Sequence, residues 1–97
     1  MAWRDWLRFG RKARRRDYWH VTMYTRQGCH LCESAWDLLA DEQRRHGFSL
    51  EKVDVDTDPA LAAEHGLHVP VVAVNGKVRF RGVVNAVLLK RLFDAGD

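Results

Sequence analysis

Tyr18-Trp-His-Val-Thr-Met-Tyr-Thr-Arg-Gln-Gly-Cys-His-Leu-Cys-Glu-Ser-Ala-Trp36 changes character halfway along. Its first eight residues are rich in aromatic and β-branched side chains, as a strand would be. Gly28 interrupts them, and from His30 the apolar positions recur at helical spacing. Both cysteines of the chain, Cys29 and Cys32, fall at that junction. Two cysteines placed at random in 97 residues seldom form C-x-x-C. The spacing therefore asks for a chemical reason: a dithiol that cycles with a disulfide, half of a metal site, or coincidence.

Working outward, residues 30–46 read as a helix with Leu31, Ala35, Leu38 and Leu39 on its inner stripe, closed by Gly47. Phe48 to Val55 alternates as a second strand. Asp58 is placed to cap and Pro59 to start a short helix that runs through Ala60 to His65 and stops at Gly66. Val71 to Val74 gives a third strand, Asn75-Gly76 a type I′ hairpin signal, and Lys77 to Arg81 a fourth strand. Val84 to Ala95 reads as a last helix, with Val84, Val87, Leu88, Arg91 and Leu92 facing inward. The order is β-α-β-α-β-β-α. Each of the first two helices is expected to be a crossover between parallel strands, and the hairpin makes the last two strands antiparallel. The expected fold is α/β, a mixed four-stranded sheet with helices on both faces.

The size of the chain, with 46% apolar and 30% charged residues, suits one globular domain. The longest apolar run, Val69 to Val74, is far short of the roughly 20 residues of a membrane helix. The start of the chain lacks the apolar core of a secretory signal, so a reducing, cytoplasmic setting is expected. There a close cysteine pair is more often catalytic or metal-binding than structural. The net charge of +3 hides an asymmetry: residues 1–20 hold seven Lys/Arg against two Asp. Residues 1–17 are read as a basic amino-terminal arm, with Trp3, Trp6 and Leu7 at helical spacing, ahead of a domain over 18–97. The arm's arginines either face water or dock an anionic membrane surface, a nucleic acid or an acidic partner.

The position of the pair suits nucleophilic sulfur chemistry. A free thiol is only about 3% thiolate at neutral pH, and the thiolate is the reactive form. Cys29 sits where unpaired helix N–H groups favour an anion, although helix-end effects of about 0.3 to 1 kcal/mol are too small alone to move a pKa by one unit. Direct N–H bonds and nearby cations are needed, and Arg26 and His30 are the local candidates. Gly28 leaves room for a bulky disulfide to approach. Cys32, one turn deeper and shielded by Trp36, is placed to resolve a mixed disulfide on Cys29.

Three stretches, Tyr24-Thr-Arg-Gln-Gly-Cys-His-Leu-Cys32, Val53-Asp-Val-Asp56 and His68-Val-Pro-Val-Val-Ala-Val-Asn-Gly76, give residues 18–95 a resemblance to a glutaredoxin-like member of the thioredoxin superfamily. The resemblance implies a thioredoxin-like fold and a thiol-disulfide oxidoreductase that reduces or exchanges protein or glutathione mixed disulfides. It implies a cis Pro70 facing the dithiol, a Val69 backbone that pairs with an extended substrate, and an Arg26 that helps bind glutathione. No cofactor is expected to be tightly bound, with glutathione as a candidate co-substrate, a thiol reductant system as partner, and a monomeric state. The chain departs from the family's usual pattern in two places. His30-Leu31 replaces Pro-Tyr between the cysteines, and Arg81-Gly-Val-Val-Asn-Ala86 replaces half of the glutathione clamp. Two other readings stand beside this one. One is a thiolate metal or Fe–S protein, against which four-ligand zinc geometry finds His20, His46, His65 and His68 without paired spacing. The other is a redox-inert adaptor acting through its basic arm.

Overall fold

The computed structural model describes residues 15–95. Within them lie β1 (His20–Thr25), α1 (His30–His46), β2 (Ser49–Asp54), a 3-10 turn (Val55–Thr57), α2 (Pro59–His65), β3 (Val71–Val74), β4 (Lys77–Arg81) and α3 (Ala86–Ala95). The expected arm helix around Trp3 and Trp6 lies outside the described residues.

The four strands form one sheet in the order β2-β1-β3-β4. β1 and β2 are parallel, as a crossover through α1 requires. β3, however, runs antiparallel to β1, which corrects the expectation that α2 also joins parallel strands. The reason is length. A six-residue strand spans about 20 Å, and α1 at about 25 Å carries the chain back over it, whereas seven-residue α2 covers only about 10 Å. The chain therefore enters β3 from the end of the sheet where β2 finished. β3 and β4 then pair antiparallel through Asn75 and Gly76, both at positive φ, 52° and 85°.

Helices cover both faces. Val21, Met23, Val72 and Val74 point to one side, where Ala35 and Leu39 of α1 and Leu89, Leu92 and Phe93 of α3 close the core with Trp19 and Phe48. On the other side Tyr24 stacks on His65 of α2, ring centroids 4.5 Å apart, and Val71 pairs in register with Tyr24.

Two helical faces differ from the sequence reading. The buried stripe of α1 is Cys32, Ala35, Leu39, Glu42 and His46, while Leu31 is half exposed at 48%. α3 buries Leu89, Leu92 and Phe93 and leaves Val87, Leu88 and Arg91 outside. Its phase follows from its start. The Asn85 side chain accepts the Leu88 N–H at 3.0 Å, so the helix begins at Ala86, and buried Val84 belongs to the lead-in. That phase also inserts the larger ring: Phe93 stacks on Phe48 at 4.4 Å.

The ends of α1 and α3 meet in a charged cluster. His46 is fully buried, its Nε2 3.4 Å from Glu42 and 3.2 Å from Asp94. Arg45 reaches the same two carboxylates at 3.1 and 3.7 Å. Among the described residues Glu42, His46 and Asp94 are also the one trio of donors close enough to share a cation, but Arg45 already supplies positive charge there. Arg16 completes the junction. Its N–H donates to His46 O at 2.6 Å, its Nε to Phe93 O at 3.0 Å, and its guanidinium lies 4.9 Å from the Trp19 ring centre. The last arginine of the basic run is thus buried in the domain rather than facing water or a partner.

Candidate functional site

Cys29 is the N-cap residue of α1, with extended backbone angles of −94° and 103°. Its Sγ accepts the Cys32 N–H at 3.1 Å. A helix cap is usually a hydroxyl or carboxylate oxygen accepting this same N–H, so the sulfur occupies a place built for an anion. Cys29 and Cys32 are joined as a disulfide with Cα atoms 5.2 Å apart. In the reduced protein the same N–H bond favours the Cys29 thiolate. The two sulfurs differ in depth: Cys29 is half-buried, while Cys32 is only 3% exposed and lies in the core cluster.

Gly28 precedes them at a φ of +78°, a conformation that L side chains resist, and nothing lies within 4 Å of where a Cβ would project. The approach to Cys29 is open on that side. A cavity of about 370 Å³ brings Arg26, Gly28, Cys29 and Cys32 together with Glu33, Lys52 and Asp54. Lys52 escaped the sequence reading. Its register opposite Met23 puts it on the α1 face of the sheet, and its ammonium lies 4.3 Å from the centre of the Trp36 ring. Strand alternation held the signal, since Leu50, Lys52 and Asp54 share one face of β2.

The other expected site residues divide. His30 points into solvent, 94% exposed, with Glu33 at 3.8 Å. Arg26 is held by its own fold: Nε and an Nη donate to the two Asp56 oxygens at 3.0 and 2.9 Å, and the other Nη to Gly66 O at 3.1 Å. Val69, like Cys29, is packed against the core cluster that includes Cys32, and Pro70 is buried. Neither lines the cavity. The Val69–Pro70 bond is cis, and the Gly82 N–H ties this loop down by bonds to His68 O at 2.9 Å and Pro70 O at 2.8 Å. β3 pairing begins at Val71, which leaves Val69 beyond the ladder. Asp54 and Asp58 cap the backbone of Asp56 and Ala60, both at 2.9 Å.

The hydrogen bond from Arg26, reinforced by its charge and opposed by desolvation, holds the Asp56 carboxyl below its ordinary pKa. Arg26 is raised in return by the same bond and charge. Because the folded value of Asp56 lies below the unfolded one, the clamp stabilises fully above the ordinary carboxylate range and fades as pH falls through the depressed value. Asp56→Asn is therefore expected to be less stable than wild type at neutral pH and to lose less on acidification. Superimposable acid limbs in thermal melts of the two proteins would show that the pair contributes nothing.

Residues 20–94 match a family described as a glutaredoxin-like domain (DUF836). A protein of Methanothermobacter thermautotrophicus named a probable thioredoxin is 33% identical over 79 residues, spanning 78% of this chain and 89% of that one. An uncharacterized Mycobacterium tuberculosis protein is 36% identical over 62 residues, 59% of this chain and 64% of its own. A structural-genomics target protein from X. campestris superposes with a TM-score of 0.64 at 33% identity, over 77% of this chain and 96% of that one. A single-site mutant of the thioredoxin of Halobacterium salinarum superposes at 0.60 with 21% identity, over 79% and 73% of the two chains, a likeness of fold. Taken with a dithiol at the head of the first helix and a mixed sheet ordered β2-β1-β3-β4, the match places the chain in the glutaredoxin-like family of the thioredoxin fold.

Proposed function

We propose that the protein is a thiol-disulfide oxidoreductase acting on protein disulfides. One observation carries the reading: a half-buried sulfur capping α1 and bonded to the Cys32 N–H, with its redox partner one turn deeper and buried. The Cys29 thiolate attacks one sulfur of a substrate disulfide, forming a mixed disulfide and expelling the other sulfur as a thiolate. The Cys32 thiolate then attacks Cys29 Sγ, closing the Cys29–Cys32 bond and releasing the second substrate sulfur. Two electrons pass from the dithiol to the substrate. An external thiol reductant, as in a reducing cytoplasm, restores the dithiol.

Two details favour a protein disulfide over a glutathione adduct. The Arg26 guanidinium is already engaged by Asp56 and Gly66 O. After β4, where the family's clamp for the γ-glutamyl group would stand, the Asn85 side chain is spent on capping α3. The test is a rate comparison, with glutathionylated peptide and a protein disulfide as substrates and a glutathione system and a thioredoxin reductase system as reductants. Faster turnover of the protein disulfide is expected. Preference for the glutathione adduct would overturn the substrate assignment, and inertness toward both would overturn the redox reading.

A further inference from the structure

Charge is laid out across the sheet. Residues 18–76 hold four Lys/Arg against nine Asp/Glu, whereas 77–93 hold Lys77, Arg79, Arg81, Lys90 and Arg91 and no acid. With strands ordered β2-β1-β3-β4, the acid-rich segment contains one sheet edge and the basic segment the other. On the basic side the outward ridge of α3 is apolar: Val87 is 63% and Leu88 50% exposed, and Val83 just before the helix is 71% exposed. Lys90 and Arg91 follow one turn on, both exposed. Shallow grooves flank the ridge. One of about 350 Å³ between α3 and β4 is lined by Phe80, Leu88 and Leu92 with Arg79 and Arg91, and one of about 500 Å³ by Val87, Lys90, Arg91 and Ala95 with the acid Asp94.

The last arginine of the basic run meets the end of α3. Arg16 is fastened to the Phe93 and Asp94 carbonyls at the end of α3, at 3.0 and 3.5 Å. The sequence leading to it carries six more cations, Arg4, Arg8, Arg11, Lys12, Arg14 and Arg15, with Trp3, Trp6 and Leu7.

We propose that the α3–β4 face docks on an anionic lipid surface. Aliphatic side chains standing among lysines and arginines fit a bilayer interface, where the apolar groups enter the acyl boundary and the cations meet headgroup phosphates and carboxylates. A nucleic acid supplies the anions but would leave Val87 and Leu88 in water. The tryptophans and arginines that precede Arg16 have the same interfacial composition. The docking is independent of the redox chemistry.

The test is co-sedimentation of the full-length protein with phosphatidylcholine vesicles, with and without about 30% phosphatidylserine, at low and at high salt. Binding to the anionic vesicles alone, weakened by salt, is expected. Each cation near the surface is worth about fivefold in partitioning, so Lys90→Glu with Arg91→Glu should lower it by at least about 25-fold. Val87→Ser with Leu88→Gln should lower it at unchanged charge. Thermal melts and Cys29 alkylation, unchanged in both variants, exclude misfolding as the cause. Equal binding to neutral vesicles, or wild-type partitioning by either variant, overturns the proposal. Tighter binding to duplex DNA at the same salt, or lipid-free self-association lost in the charge variant, assigns the face to nucleic acid or to a second copy and overturns it as well.

Discussion

Cys29→Ser is expected to reduce disulfide turnover to the uncatalysed rate, whereas Cys32→Ser should complete the first exchange and stop there. The asymmetry follows from depth and hydrogen bonding. Cys29 Sγ accepts a helix N–H and borders an open approach past Gly28, while Cys32 is 3% exposed. A serine hydroxyl at position 29 keeps the cap but is not ionised near neutral pH, so no nucleophile remains at the surface. With serine at position 32 the mixed disulfide on Cys29 has no internal thiol to resolve it and accumulates as a covalent adduct with substrate. Turnover assays and non-reducing electrophoresis separate the two variants. In reduced wild type, iodoacetamide should label Cys29 well before Cys32 at neutral pH, with sites assigned by peptide mapping. Faster labelling of Cys32 would reverse the roles of nucleophile and resolver.

What the sequence disclosed and what it withheld divide along the range of the interactions. β3 and β4 lie where the pattern puts them because Asn75-Gly76 fixes a hairpin by local backbone preference. The same holds for Asp58 and Pro59 at the start of α2. The direction of β3 is not local: it depends on how far seven-residue α2 can carry the chain. Arg16 offers no signal either, since its partners are carbonyls at 93 and 94, far along the chain. At the site, Cys29, Cys32 and Gly28 were legible as a unit. The partnership of Arg26 with Asp56 required the β1–β2 register, which sets Thr25 beside Asp54 and so brings the residues that follow each strand together. Lys52 was hidden for the same reason, although its strand parity pointed to the α1 face.

The phase of α3 was the least legible feature, because two stripes in its sequence both have helical spacing. Val84, Val87, Leu88, Arg91 and Leu92 form one, and Leu89, Leu92 and Phe93 the other. The structure buries the second, and stability measurements can decide between them. Phe93→Ala is expected to cost about 3–5 kcal/mol, because a fully buried ring leaves a cavity that the sheet cannot close. The lost ring also stacks on Phe48 at 4.4 Å and lies 5.8 Å from Trp19, contacts worth roughly 0.5–1.5 kcal/mol beyond area alone. At about 4–8 °C per kcal/mol for a domain of this size, the melting temperature should fall by more than about 10 °C. Leu88→Ala, on the solvent side, should change stability by no more than about 0.5 kcal/mol. Paired thermal and urea unfolding of the two variants reads the contrast directly. A Leu88→Ala cost equal to or greater than that of Phe93→Ala would rotate the helix, bury the ridge that the docking face requires, and remove Phe93 from the core that carries Arg16 and the root of the arm.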